Sequence, residues 1–239
     1  MIHNQLYSVF YTKLPQGKAE LLPEKYKPKF VTFLNPYYIE KYPHTADLYK
    51  RFDYVCSDGM IPIQLNKIWG KKKSWRCSFD MGSLANDVFQ WLVMHNESVY
   101  FLGTTKEKIE RFAEIMLENY PSLKIVGFYH GYIKGHEDDI VEEIQRQNPS
   151  VVIIGMGAPL QDGFAMRLKD AGFMGTVYTC GGFMHQTSEK LHYYPEWINK
   201  WNLRTFYRLT KEKYVWGRVF KYYPKFIIKY SCFLVFGEF

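Results

Sequence analysis

From residue 99 onward, the apolar positions of the chain alternate between two periods. Residues 99–102, 124–128, 151–154 and 176–179 are short, nearly continuous runs rich in Val, Ile, Tyr and Phe. Between them, apolar residues recur every three or four positions, as Ile109, Phe112, Ala113, Met116 and Leu117 do within 106–119. The first pattern predicts strands buried on both faces, the second amphipathic helices. Helices are likewise expected at 84–94, 138–147 and 162–171. Upstream, 30–34 and 54–57 read as two further strands, and 37–49 as a helix interrupted by Pro43. Residues 1–28 show no clean period and are punctuated by Pro15, Gly17, Pro23 and Pro28, which predicts loops with one short strand. Residues 67–76 read as a basic loop. The repeated strand–helix units predict an α/β fold, a Rossmann-like and mostly parallel sheet with helices on both faces.

The strand ends carry the candidate chemistry. Asn35, Asp58, Gly103, His130, Gly155 and Gly181 each fall where a strand stops, and ligands of open α/β sheets sit beyond the carboxyl ends of the strands. The sharpest case is Gly155-Met156-Gly157-Ala158-Pro159, set between an apolar strand and a helix. Small residues there let the backbone approach a ligand, and a helix start offers N–H groups to an anion such as a nucleotide phosphate. A tight turn that holds nothing is the alternative. Gln161 begins the following helix, where its amide suits a uracil edge or a phosphate oxygen, or simply starts the helix. Asp58 follows an apolar strand, which suits a general base, although Asp-Gly also makes an ordinary turn. Asp80 fits a solvated turn or helix cap better than catalysis. His130 is placed either to meet a ligand hydroxyl or to shape a turn. His185 and His192 have no partner at metal-ligand spacing, so no metal is assigned.

Charge and composition add a second theme. Residues 200–239 hold nine Lys or Arg and two acids, so the whole net charge of +7 sits in these forty residues. They also hold thirteen of the 44 aromatic residues. A basic, aromatic, amphipathic segment is the profile of a helix lying on an anionic membrane surface, with a solvated face packed on a neighbour as the alternative. A soft boundary near 194 divides a 1–194 α/β domain from a 195–239 helical appendage. Arg208 and Arg218 in that appendage either fold over a diphosphate or lie solvated. No apolar run reaches the length of a membrane span, and residues 1–10 lack the pattern of a signal peptide. The four cysteines, Cys56, Cys77, Cys180 and Cys232, form no C-x-x-C, which indicates neither a disulfide framework nor zinc and suits a reducing cytoplasm. The aromatic excess also leaves room for a homo-oligomeric contact.

Taken in order, several segments resemble the WecG/TagA/CpsF glycosyltransferases: Asn35-Pro36, Ser57-Asp58-Gly59, Phe101-Leu102-Gly103, YPSLKIVG at 120–127, His130-Gly131-Tyr132, GMGAPLQ at 155–161, Gly181-Gly182-Phe183 and Tyr207-Arg208-Leu209. The resemblance runs from about residue 30 to 218. It implies inverting, metal-independent transfer of a sugar from a UDP-sugar to a polyprenyl-diphosphate-linked glycan, at the inner face of the cell membrane, with no cofactor and no nucleic acid. On that likeness Asp58 is the general base. Gly103, Gly155, Gly157, Ala158, Pro159, Gln161, Arg208 and Arg218 serve the nucleotide and diphosphate. Thr32, Asn35, His130 and Gly182 serve the sugar or the acceptor, and 195–239 caps the site and meets the membrane. The chain departs from the family pattern at Phe33-Leu34-Asn35, at Asp162, at 183–185 and at Arg204-Thr205, so N-acetylmannosamine does not carry over as the donor sugar. Two rivals come from other classes. A Rossmann-type methyltransferase or dehydrogenase needs a Gly-x-Gly after the first strand, and 30–35 offers none. A non-catalytic membrane adaptor of a polysaccharide-assembly complex would use the basic tail alone.

Overall fold

A computed structural model describes residues 5–191, 198, 207, 209, 210 and 213–237. Its centre is a six-stranded sheet formed by β1 (Lys29–Leu34), β2 (Tyr54–Ser57), β3 (Ser98–Gly103), β4 (Lys124–Tyr129), β5 (Val151–Gly155) and β6 (Thr176–Thr179). The strand order is β2-β1-β6-β5-β3-β4. The pairs β1–β6, β6–β5, β5–β3 and β3–β4 all run parallel. The chain leaves β3 for β4 on one side and returns to β5 on the other, so the order reverses between β3 and β5. In open α/β sheets, such a reversal opens the crevice in which ligands sit.

By its internal contacts the chain divides into two compact units. One comprises Leu21–Thr32 and Phe79–Tyr193. Its central strands are apolar throughout, and Val99–Leu102 and Val151–Ile154 have no solvent exposure. Strands buried on both faces cannot alternate polar and apolar residues, which explains the continuous runs in the sequence. Around them stand α5 (Ala85–His95), α6 (Lys106–Asn119), α7 (Glu137–Gln147), α8 (Leu160–Asp170) and α9 (Phe183–Thr187). Helix α6 begins at Thr105, whose hydroxyl caps the Lys108 N–H, and buries Ile109, Phe112, Ala113 and Met116. Phe112 meets Phe101 of β3 edge-on at 4.9 Å and Phe183 of α9 at 5.6 Å.

The other unit comprises Met1–Glu20, Phe33–Ser78 and Tyr194–Phe239. It holds α1 (Gln5–Thr12), α2 (Pro36–Lys41), α3 (Ala46–Lys50), α4 (Met60–Trp69) and, at the C-terminus, α10 (Lys213–Phe236). Helix α10 buries Phe226, Tyr230 and Leu234, spaced four apart on one face. Tyr7 of α1 packs against the rings of Phe226, Tyr230 and Phe233. Two polar ties fix the helix further. The Tyr230 hydroxyl donates to Asn66 Oδ1 of α4 at 2.9 Å. Lys229 Nζ donates to the buried Glu40 carboxylate at 3.2 Å, and that carboxylate also accepts from the Tyr7 hydroxyl.

The α/β architecture, its parallel sheet and its C-terminal helix are as the pattern predicts. Three differences stand out. Residues 5–12 are helical rather than loop, because Leu6, Tyr7, Val9, Phe10 and Tyr11 find a buried face. Residues 60–69 form α4 despite Pro62, which falls in the first turn where a missing N–H removes no intrahelical bond. Residues 183–187 form α9. The boundary near 194 falls on residues outside the described ones. Among the described residues, no helix is long and apolar enough to cross a membrane.

Candidate active site

In the unit of Leu21–Thr32 and Phe79–Tyr193, the loops beyond β3, β4, β5 and β6 converge. Gly103 and Gly155 are register partners at the ends of β3 and β5. A Cβ at Gly103 would stand 2.5 Å from the Gly155 carbonyl oxygen, so only glycine lets these strand ends approach so closely. The next residue, Thr104, donates its N–H to that carbonyl at 3.2 Å and accepts from the Gly131 N–H at 2.8 Å. Thr104 is β-branched yet left-handed (φ 51°), and its hydroxyl is buried with no hydrogen-bond partner. Such a conformation costs about 1–3 kcal/mol and concentrates at functional sites. His130 precedes Gly131, packs its ring on Tyr129 at 4.4 Å and accepts the Tyr132 N–H at Nδ1.

Ala158 and Pro159 are joined by a cis peptide, and Pro159 leads into α8. Gln161, in the first turn of α8, points inward. Its amide oxygen accepts from the Gly157 N–H at 3.2 Å and from the Gly181 N–H at 3.0 Å. Gly182 follows as the cap position of α9. Beneath this layer, the Thr32 hydroxyl donates to Asp162 Oδ1 at 2.5 Å and lies 2.9 Å from the Thr179 hydroxyl. Thr32 and Asp162 have no solvent exposure, so Thr32 offers no surface to a ligand in this conformation.

The second unit gathers Asn35, Asp58 and Arg218. The Asp58 N–H donates to the Leu34 carbonyl at 2.8 Å, which sets Asp58 beside the end of β1. Its carboxylate is 41% exposed and lies 3.7 Å from Arg76 Nη2, while Arg76 is largely buried and donates to the Ser78 hydroxyl at 2.6 Å. Asn35 caps α2, its side chain accepting from the Tyr38 N–H at 3.3 Å. The Arg218 guanidinium of α10 lies 4.5 Å over the ring of Tyr37, which Tyr222 meets edge-on. Arg208 and His192 lie outside the described residues. Asp80 shapes a turn, its carboxylate accepting from the Gly82 N–H. His185 pairs with Lys108 Nζ at 2.9 Å, and Lys108 also meets Glu189 at 2.8 Å. Among the described residues, no group of three His, Cys, Asp or Glu is arranged to hold a metal ion.

Arg76 lies in the segment 67–76 that reads as a basic loop in the sequence, yet a parallel bridge pairs it with Ser57 at the end of β2. The available signal was its setting between Trp75 and Cys77, since an arginine flanked by apolar residues is not simply solvated.

Glycine-lined strand ends on a parallel sheet, with an acid at the end of β2, are common to many sugar- and nucleotide-handling enzymes. The deciding observation is that residues 12–235 match the Glycosyl transferase WecG/TagA/CpsF family. The chain belongs to this family. The match turns the choice between enzyme and non-catalytic adaptor in favour of a glycosyltransferase. This glycosyltransferase is 29% identical over 212 residues to a UDP-Gal:alpha-D-GlcNAc-diphosphoundecaprenol beta-1,4-galactosyltransferase of Shigella boydii, spanning 88% of this chain and 89% of that protein. It is 23% identical over 186 residues to an N-acetylglucosaminyldiphosphoundecaprenol N-acetyl-beta-D-mannosaminyltransferase of Bacillus subtilis, spanning 76% and 70%. A Staphylococcus aureus protein of the same description is 25% identical over 138 residues, 57% of this chain and 53% of its own.

Proposed function

We propose that this glycosyltransferase moves a hexose from a UDP-sugar to N-acetylglucosaminyl-diphosphoundecaprenol, with inversion, in the assembly of a bacterial cell-surface polysaccharide. The observation that carries the reading is the Shigella boydii likeness, which covers nearly the whole of both chains and names that acceptor. The same likeness favours UDP-galactose as the donor over the N-acetylmannosamine donor of the Bacillus and Staphylococcus relatives. In the reaction, the Asp58 carboxylate takes the proton of the acceptor hydroxyl as its oxygen bonds to the anomeric carbon. The bond from that carbon to the diphosphate breaks, and UDP leaves with the electron pair. The backbone of Gly103, Gly155, Gly157 and Ala158–Pro159 cradles the nucleotide diphosphate, and Arg208 and Arg218 neutralise the departing charge. Arg76 Nη2 stands 3.7 Å from the Asp58 carboxylate. Asn35, His130 and Gly182 serve the sugar or the acceptor glycan.

A polyprenyl-linked acceptor and a water-soluble nucleotide donor meet at the inner face of the cell membrane, and the basic aromatic helix α10 suits an anionic lipid surface there. The test is UDP release and product formation with a synthetic GlcNAc-diphosphopolyprenol, screened across UDP-galactose, UDP-glucose and the UDP-N-acetylhexosamines. Transfer from UDP-galactose, unchanged by EDTA, is expected. No transfer from any UDP-sugar to that acceptor overturns the proposal.

A further inference from the structure

Gln161 and Asp162 are consecutive in the first turn of α8, and both turn their side chains into the protein rather than toward solvent. Gln161 is 3% exposed. Its oxygen meets two backbone N–H donors, Gly157 on the loop after β5 and Gly181 on the loop after β6. Two donors can be satisfied only by the oxygen end of an amide, so the orientation of the group follows from its partners. Both glycines are left-handed, φ 78° and 56°, and a side chain at either would strain the loop. A return bond runs from the Gln161 N–H to the Gly157 carbonyl at 3.1 Å, closing a small ring. One residue on, the buried Asp162 carboxylate is tied through the Thr32 hydroxyl to the end of β1 and through Thr179 to the end of β6. An acidic group is costly to bury unless it is hydrogen-bonded, so this tie fixes where α8 begins.

We propose that Gln161 and Asp162 are positioning residues for the donor site: Gln161 clasps the β5 and β6 loops in their binding shape, and the Asp162–Thr32–Thr179 tie holds that clasp from below. The clasp also fixes what Gln161 can offer. With its oxygen committed, only the NH2 remains, a donor suited to a phosphate or uracil carbonyl oxygen and unable to read the uracil N3–H. This inference rests on the UDP-sugar reading above and refines it. Thr32 thereby acts through the fold rather than by touching sugar.

Hydrogen–deuterium exchange over the 155–159 and 180–182 loops, with calorimetry using UDP, tests it on the full-length protein. Q161M, which has the size of Gln but no acceptor, is expected to speed exchange in both loops together and to weaken UDP binding by roughly tenfold. Q161E keeps two acceptors and is expected to leave both loops as slow as in wild type while still weakening UDP. T32V is expected to loosen the same two loops, and T32S to restore them. In the transfer assay, Q161M should raise the donor KM more than it lowers kcat. Wild-type protection of the Gly181 loop in Q161M, or equal loss of protection in Q161E and Q161M, overturns the clasp. Should wild type fail to bind UDP while the exchange pattern appears as expected, the donor reading falls and the clasp stands as a purely structural device.

Discussion

Asp58 joins an open carboxylate to a cationic neighbour. Its carboxylate is open enough to meet an acceptor hydroxyl, and a largely buried arginine stands 3.7 Å away. Substituting Asp58→Asn keeps the shape and removes the proposed base, so kcat is expected to fall by about 10²–10⁴-fold with little change in UDP affinity. Steady-state kinetics beside calorimetry separates the two effects, and near-normal turnover would remove Asp58 from the role. A second residue-scale prediction concerns Gly103. Its added Cβ would meet the Gly155 backbone at 2.5 Å, so Gly103→Ala is expected to destabilise the fold by about 1–3 kcal/mol, read as a lowered urea midpoint. Positions such as Asp58 and Gly103 were legible in the sequence because they end apolar runs, and a strand end is a local signal. The inward turn of Gln161 and the burial of Thr32 were not. A polar side chain chooses its partner through tertiary contacts, here with residues 20 and 130 positions away.

At the scale of elements, the start of β3 offers a test with a definite sign in pH. Glu97 precedes the strand, accepts from Lys25 Nζ at 2.7 Å and also accepts from the Ser150 hydroxyl before β5. These bonds, that from Lys25 first and that from Ser150 next, hold its carboxyl below the usual 4.5. A carboxyl depressed by folding contributes stability that is fully present above the unfolded value and is lost as pH falls through the folded one. The stability of wild type and Glu97→Gln should therefore differ at pH 7 and converge below pH 4.5, as measured by thermal denaturation. Helix α8 offers the opposite kind of change. Gly163 has open space where a Cβ would go and lies inside a helix, so Gly163→Ala is expected to stabilise by about 1 kcal/mol. The elements most legible in the sequence were α6, β5 and β6, whose periodicity is set by burial on the sheet itself. Helices α1 and α4 were missed because prolines and lysines mask faces that are apolar only once a partner is present. Helix α9 is too short at five residues to show a period.

For the molecule as a whole, the proposed lipid-linked acceptor poses the question of how a protein whose described helices include none fit to span a bilayer would reach it. Charge poses the same question, since a chain that is otherwise balanced carries all its net positive charge in the last forty residues. Helix α10 turns Phe226, Tyr230 and Leu234 inward and leaves Trp216, Phe220, Ile227, Ile228, Val235 and Phe236 exposed, with the exposed lysines Lys221 and Lys225 among them. Six large apolar side chains on a helix whose other face is already packed have a use at a lipid interface and a cost in water. Each is worth about 1.5–3 kcal/mol on full burial, so a few of them with nearby lysines suffice for peripheral attachment. The protein is accordingly expected to co-sediment with phosphatidylglycerol vesicles, to release as salt rises and to bind phosphatidylcholine vesicles weakly. Combining Phe220→Ser, Ile228→Ser and Phe236→Ser leaves the buried face intact, so the variant should stay folded while its vesicle binding falls at least about tenfold. Transfer to a short-chain, water-soluble acceptor should then match wild type, whereas transfer to a membrane-embedded polyprenyl acceptor should drop. Equal vesicle binding by the triple variant would show that α10 is not the anchor, and would turn its exposed aromatic face into a candidate contact between copies of the chain.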